Sequence, residues 1–232
     1  MSLNNLQYLI YSLLNFIFIL LRIFLVKPKI IYIGDSHARF LFENKKTKRF
    51  SVKDGNRLVV WLGPKLLYSV SRKGFELEKR VRIILRIASN EQPIVILLGE
   101  IDCRVHFVKK TLNLGVEEFD NIAKSYKKFV ISLIDTYGFA KALIISPFPP
   151  SNLGSNNPKF PRNGSISERV LVTRLITESL MRISSHHFSV IDCSPMISNK
   201  NGSLNEKYTN DGVHLNFLGS KKIIYKIDSE NV

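Results

Sequence analysis

Five short apolar runs recur along this chain, each too short to form a helix of useful length. They cover residues 30–33, 58–62, 94–98, 142–145 and 189–191. Between them lie stretches with helical spacing, at 76–88, 116–137, 166–183 and 216–225. In 116–137 the apolar side chains Phe119, Ile122, Ala123, Tyr126, Phe129, Val130 and Leu133 fall three and four residues apart, as one face of a helix requires. A strand that is apolar on both faces must be covered on both. The alternation therefore predicts an α/β three-layer sandwich: a parallel sheet of about five strands between two layers of helices. In such sheets ligands bind beyond the carboxyl ends of the strands.

Two blocks at opposite ends of the chain have complementary chemistry. The first apolar run leads directly into Gly34-Asp35-Ser36-His37, and near the far end stands Asp211-Gly212-Val213-His214-Leu215-Asn216. A serine hydroxyl is a weak nucleophile until a base takes its proton, and the base needs a third group to orient it. Ser36, His214 and Asp211 fit those three roles. Gly34 suits a tight turn after the strand, and a helix starting at Ser36 would favour developing negative charge. The plainer alternatives are a capping serine and an ordinary Asn210-Asp211-Gly212 turn.

These blocks resemble the SGNH/GDSL hydrolase superfamily, a group of esterases, lipases and carbohydrate deacetylases. The resemblance runs from about residue 29 to about residue 225. It implies a flavodoxin-like sandwich, Ser36 as nucleophile, and Asp211 and His214 as acid and base. Gly63, in Trp61-Leu62-Gly63-Pro64, resembles the family's second block, which implies an oxyanion-binding amide. The third block departs from the family's G-x-N-D, reading Gly99-Glu100-Ile101-Asp102. Ile101 cannot donate a hydrogen bond, and loss of one oxyanion donor typically costs roughly 10²–10³ in rate. Arg104 is a candidate replacement, reaching the oxyanion or an acid group of the substrate. Glu100, Asp102 and Arg104 can equally form a structural charge network. Asp102 and His37 join Gly63 and Arg104 as candidate oxyanion or substrate contacts, with a plain helix-start residue the favoured alternative for His37. His106 is a weaker candidate, and the adjacent His186 and His187 diverge. No metal and no cofactor is implied.

The activity implied is hydrolysis of carboxylic esters, either carbohydrate O-acetyl groups or lipid esters, through an acyl-enzyme. O-acyl transfer would use the same residues. A non-catalytic glycan- or lipid-binding protein on the same fold is the alternative that Ile101 suggests.

The net charge of +15 and pI near 9.9 call for an anionic partner or a surface that tolerates them. The basic residues are scattered: Lys45, Lys46, Lys48 and Arg49, then Arg72, Lys73, Lys79, Arg80 and Arg82, then Lys124, Lys127 and Lys128. No nucleic-acid motif accompanies them, so nucleic acid is disfavoured and an anionic membrane surface favoured. Residues 6–26 are almost wholly apolar, interrupted by Gln7, Ser12, Asn15 and Arg22. As a helix they would reach roughly 30 Å, about one hydrocarbon thickness. The expectation is a membrane-anchor helix over residues 1–28 and a hydrolase domain over 29–232. A spanning anchor leads, ahead of a helix lying in the membrane plane and one packed on the domain. With no basic residue before the apolar core and no small-x-small site after it, the segment does not read as a cleaved signal peptide. Arg22, Lys27 and Lys29 at its end place the catalytic domain on the cytoplasmic side by the positive-inside rule. Cys103 and Cys193 read as small buried side chains. Residues 147–164, rich in Pro, Asn and Gly, form either a substrate-shaping loop or a mobile excursion. Nothing in the sequence sets an oligomeric state.

Overall fold

The computed structural model describes residues 3–42, 50–53, 56–72, 75–89, 91–111, 115–154 and 158–230. Lys45, Lys46, Lys48, Arg49 and Lys73 lie outside them. Helix α1 (Leu3–Leu25) leads into β1 (Ile30–Gly34) and the short α2 (Ser36–Phe40). A hairpin follows, of β2 (Phe50–Lys53) and β3 (Arg57–Trp61), then α3 (Leu67–Val70) and α4 (Lys79–Ala88). Strand β4 (Ile94–Leu97) is followed by a π-helical turn (Asp102–Phe107), α5 (Val108–Thr111) and α6 (Val116–Tyr137). The chain then forms β5 (Ala142–Ile145), α7 (Ile166–Arg182), β6 (Phe188–Ile191), α8 (Ser194–Ile197) and α9 (Phe217–Ser229).

The sheet runs β2-β3-β1-β4-β5-β6. Every pairing is parallel except β2 with β3. The five parallel strands thus have the 2-1-3-4-5 order of the flavodoxin-like sandwich, and they are the five runs read from the sequence. The sixth strand, β2, was not anticipated. It is short and antiparallel, and only Phe50 and Val52 of its side chains are buried in the core.

Alternation along the strands divides the core in two. Ile31, Ile33, Leu58, Val60, Ile94, Ile96 and Ile144 face one layer, made by α1, α4, α6 and α7. Ile30, Tyr32, Val59, Val95, Leu97, Leu143 and Ile145 face the other, made by α2, α8 and α9. Each fully buried aliphatic side chain contributes about 1.5–3 kcal/mol. Two helix ends follow their sequence signals. Ser165 and Glu168 form a reciprocal capping box at the start of α7, and Gly138, at φ +69°, closes α6 in the left-handed region.

Helix α1 packs on this body through one stripe. Ile19 and Ile23 are buried, and the Phe16 ring lies 6.0 Å from that of Phe50. The segment from Phe16 to the helix end therefore lies alongside the domain. Among the described residues no helix is long and apolar enough to cross a membrane. The expectation of a spanning anchor is therefore not supported.

Gly34 is needed for a reason other than the turn expected of it. An added Cβ would lie 2.1 Å from the Leu97 carbonyl oxygen, on backbone that cannot yield. The glycine lets β1 and β4 run together up to Ser36. Gly34→Ala is expected to cost about 3 kcal/mol or more, lowering Tm by roughly 6–12 °C for a domain of this size. An unchanged melting curve would contradict this account.

Candidate active site

The carboxyl ends of β1 and β3 set up the site. Gly34 pairs with Trp61 in register, and the chain leaves β1 through Asp35, whose side chain caps α2 by accepting from the His37 amide. Ser36 is thereby placed at the first position of α2. The opposing segment arrives from the other end of the chain. Thr209 Oγ1 accepts from the Gly212 amide and donates to the His214 carbonyl, closing the turn. Gly212, at φ +74°, faces residues 151–154 so closely that a Cβ would sit 1.9 Å from the Leu153 carbonyl oxygen.

Ser36, His214 and Asp211 form one hydrogen-bonded sequence. Ser36 Oγ lies 2.9 Å from His214 Nε2, and His214 Nδ1 lies 2.8 Å from Asp211 Oδ2. An ionised carboxylate only accepts, so Nδ1 carries the ring proton and Nε2 is left to accept from the serine. The second oxygen, Asp211 Oδ1, accepts from the Val213 and His214 amides, both at 2.8 Å. Burial would raise the Asp211 carboxyl, but these donors outweigh it and hold it well below the usual carboxylate range. His214 is 6% exposed. Burial holds its imidazole below the ordinary value of 6.5, with the His37 charge acting in the same direction and Asp211 opposing. Phe40 stacks on the ring at 4.0 Å and Phe160 meets it edge-on at 5.3 Å.

The other candidates have different surroundings. Gly63, at φ +85°, follows β3 with open space where a side chain would be. His37 is 3% exposed, turned inward against Asp35 rather than toward the surface. Asp102 is fully buried and accepts from the Leu67 and Tyr68 amides at the start of α3. Burial pushes its carboxyl up to about 7 against those donors. Arg104 donates through Nε to Glu100 Oε1 at 2.7 Å and through Nη1 to the Pro161 carbonyl at 2.6 Å. Its guanidinium is thus committed to a buried ion pair and to the loop that carries Phe160. His106 is exposed. Cys103 and Cys193 are free and buried. Among the described residues no group of three or more His, Cys, Asp or Glu is placed to hold a metal ion.

The described parts of residues 147–164 are strapped down. Arg162 donates to the Leu153 and Gly212 carbonyls, joining the loop to the Asp211–His214 turn. Arg169 donates to the Gly164 carbonyl and to Asn152 Oδ1, and Asn163 donates to the Val105 carbonyl. These ties fit a fixed wall better than a mobile excursion. Phe40, Phe160, Arg162 and Arg169 were not picked out in the sequence. The only signal was an arginine-bearing loop at the edge where the blocks converge.

No protein-family model matches the sequence, and no curated protein matches it. Solved structures do match. Est24, a carbohydrate acetylesterase from Sinorhizobium meliloti, superposes with a TM-score of 0.50 at 15% identity, over 88% of this chain and 99% of its own. The acetyl xylan esterase AlAXEase gives 0.52 at 15% identity, over 88% and 99%. The inhibitor-bound aryl esterase of M. smegmatis gives 0.53 at 13% identity, over 87% and 99%. The chain shares the three-layer α/β fold of these solved esterases. At these identities the likeness is one of fold, and the site rests on the geometry above.

Removing one member of a buried ion pair leaves the other charged and unpaired, at about 3–5 kcal/mol. Arg104→Gln is expected to destabilise by about 3 kcal/mol, and the further change Glu100→Gln to restore most of it. Denaturant unfolding of the two single variants and the double variant measures the coupling. Additive losses would mean that the pair does not hold this loop.

Proposed function

We propose that the protein is a serine esterase, and the observation that carries this reading is the unbroken sequence from Ser36 Oγ through His214 to Asp211. In the first step Ser36 Oγ attacks the carbonyl carbon of the ester while its proton passes to His214 Nε2. The resulting imidazolium is stabilised by Asp211 and lies against the faces and edges of Phe40 and Phe160. It then returns the proton to the departing alkoxide as the acyl C–O bond breaks, and an alcohol leaves. Water, deprotonated by the same nitrogen, attacks the acyl-serine, releases the carboxylic acid and regenerates Ser36. The amides of Ser36 and Gly63 are the candidate oxyanion donors. Ile101 offers none, so the site works with fewer donors than the G-x-N-D pattern would supply.

Esters on carbohydrates are the substrate class supported by the acetylesterases that share the fold, and a lipid ester fits the same chemistry. Attachment to a membrane surface is part of the reading. On α1 the side chains Leu14, Ile17, Phe18, Leu21 and Leu25 are 44–79% exposed and lie at helical spacing. Arg22, Lys27 and Lys29 on the same segment, and Lys79, Arg82 and Arg86 on the neighbouring α4, are exposed around them. An apolar stripe with a basic rim suits a helix lying in the plane of an anionic leaflet, such as the cytoplasmic one.

A fluorophosphonate probe is expected to label the protein, with labelling abolished in Ser36→Ala and reduced at least ~10³-fold in His214→Ala. An unlabelled but folded native protein would remove the hydrolase reading. The membrane part has its own test. The protein is expected to float with phosphatidylglycerol-containing vesicles, less so in high salt. The Phe18→Glu, Leu21→Glu variant should stay in the soluble fraction with labelling unchanged. No flotation of the native protein, or retention on membranes after alkaline carbonate, would count against an in-plane helix.

A further inference from the structure

We propose that His37 is an imidazolium at neutral pH that positions and tunes His214, rather than a substrate contact; this rests on the esterase reading. The protonation state follows from its partners. Nε2 lies 3.1 Å from the Val213 carbonyl oxygen, and a carbonyl only accepts, so Nε2 carries a proton. Nδ1 lies 3.0 Å from Asp35 Oδ1, and an ionised carboxylate only accepts, so Nδ1 carries one too. A ring that donates from both nitrogens is a cation. It is 3% exposed, and Asp35 is fully buried. Burial alone would drive the ring toward neutrality. The adjacent Asp35 carboxylate, helped by Glu100 and the Val213 carbonyl, reverses this and raises the imidazole to about 9.

Two consequences follow for His214. The first is mechanical. Val213 directly precedes His214, so the hydrogen bond from His37 to its carbonyl ties the base-bearing turn to α2, where Ser36 is the neighbouring residue. One buried side chain thereby links the nucleophile's helix to the base's turn across 176 residues of chain. The second is electrostatic. The two imidazole rings lie 5.1 Å apart, tilted by 35°, so a fixed positive charge on His37 disfavours a proton on His214. A general base must be unprotonated when substrate arrives.

The charged and titratable groups facing this pair are Asp35 before α2, Glu100 after β4, and Asp211 on the C-terminal turn. The 147–164 loop contributes Phe148, edge-on to His37 at 5.2 Å, Phe160, edge-on to His214 at 5.3 Å, and one cation, Arg162, which donates to the Gly212 carbonyl and interacts with Asp211 and Glu100. Asp35 and Glu100 line one small cavity with His37 and Ser146. Asp211 and Glu100 favour a protonated His214, and His37 is the cation beside it that opposes them.

Nitrogen-15 spectra of the labelled imidazoles test the protonation state without any substrate. At neutral pH His37 is expected to carry protons on both nitrogens and His214 on Nδ1 alone. A neutral His37 overturns the proposal. The pH dependence of fluorophosphonate labelling then separates positioning from simple structural support. His37→Gln keeps an amide N–H for the Val213 carbonyl but removes the charge. It should move the acid limb of the labelling rate upward by about 1 pH unit, with the plateau rate within ~10-fold of native. His37→Leu removes both and should also lower the plateau by roughly 10²-fold. An acid limb that stays in place in His37→Gln overturns the electrostatic role. Failure of the esterase reading would instead appear as absent labelling in the native protein. The sign for stability is fixed by the raised value: the contribution of His37 is full below 6.5 and disappears as pH rises through about 9.

Discussion

Two ionised side chains flank Ser36 on either side in the sequence, and both are buried beneath the edge of the sheet. An isolated charge in such a place costs several kcal/mol, and only pairing with full hydrogen bonding offsets that. Asp35 satisfies part of the requirement locally, by capping α2 and accepting from the His37 ring. The remaining ring proton needs an acceptor, and the chain near Ser36 does not supply one. It comes from Val213, at the far end of the sequence. Closing the fold is therefore what satisfies the charge, and the same closure delivers His214 to Ser36. Contact between the two blocks is thus a condition of burying the first block.

The close approach of β1 and β4 belongs to the same constraint. With any side chain at position 34, Leu97 would be pushed away, and the residues after β4 would move with it. Glu100 and Arg104 lie there, and through the Pro161 carbonyl they hold the loop that brings Phe160 to the His214 ring. One backbone contact in the sheet is thus propagated to the aromatic wall of the site. The departure from G-x-N-D fits this picture. Asp102 is spent on the first amides of α3 and Arg104 on Glu100, so this block holds structure together where the family's pattern would offer a donor to the oxyanion.

The five parallel strands were legible because burial on both faces leaves almost no polar residue in them. Strand β2 was not, because an edge strand with one face toward solvent carries only Phe50 and Val52 as a signal, beside a lysine-rich run. That Ser36, Asp211 and His214 would meet was legible because few residue types suit the chemistry proposed for them and both blocks sit at turns. What surrounds them was not. Phe40 and Phe160 are ordinary aromatics until the fold places them on one imidazole; for Arg104 the sequence leaves an oxyanion contact and a charge network equally open, and Glu100, one turn back on the same helix, decides for the ion pair. The π-helical turn that begins at Asp102 leaves no periodic signature. His37 was noticed for its adjacency to the nucleophile, but adjacency in a helix turns successive side chains to different faces, and this one faces inward.

In the proposed reaction the basicity of His214 is a compromise between neighbours of opposite effect. Asp211 holds a proton on Nδ1 and favours the imidazolium, which is what the step after nucleophilic attack requires. Burial and the charge of His37 disfavour that same imidazolium before substrate arrives. A base with Asp211 alone would be protonated too readily at moderately acid pH, and one with His37 alone would be too weak to take the serine proton. Developing negative charge on the substrate changes the balance during the reaction, since an oxyanion beside Ser36 stabilises both imidazolium rings at once. This electrostatic arrangement is consistent with a site that carries Ile101 in its third block and retains its serine, base and acid in hydrogen-bonding register.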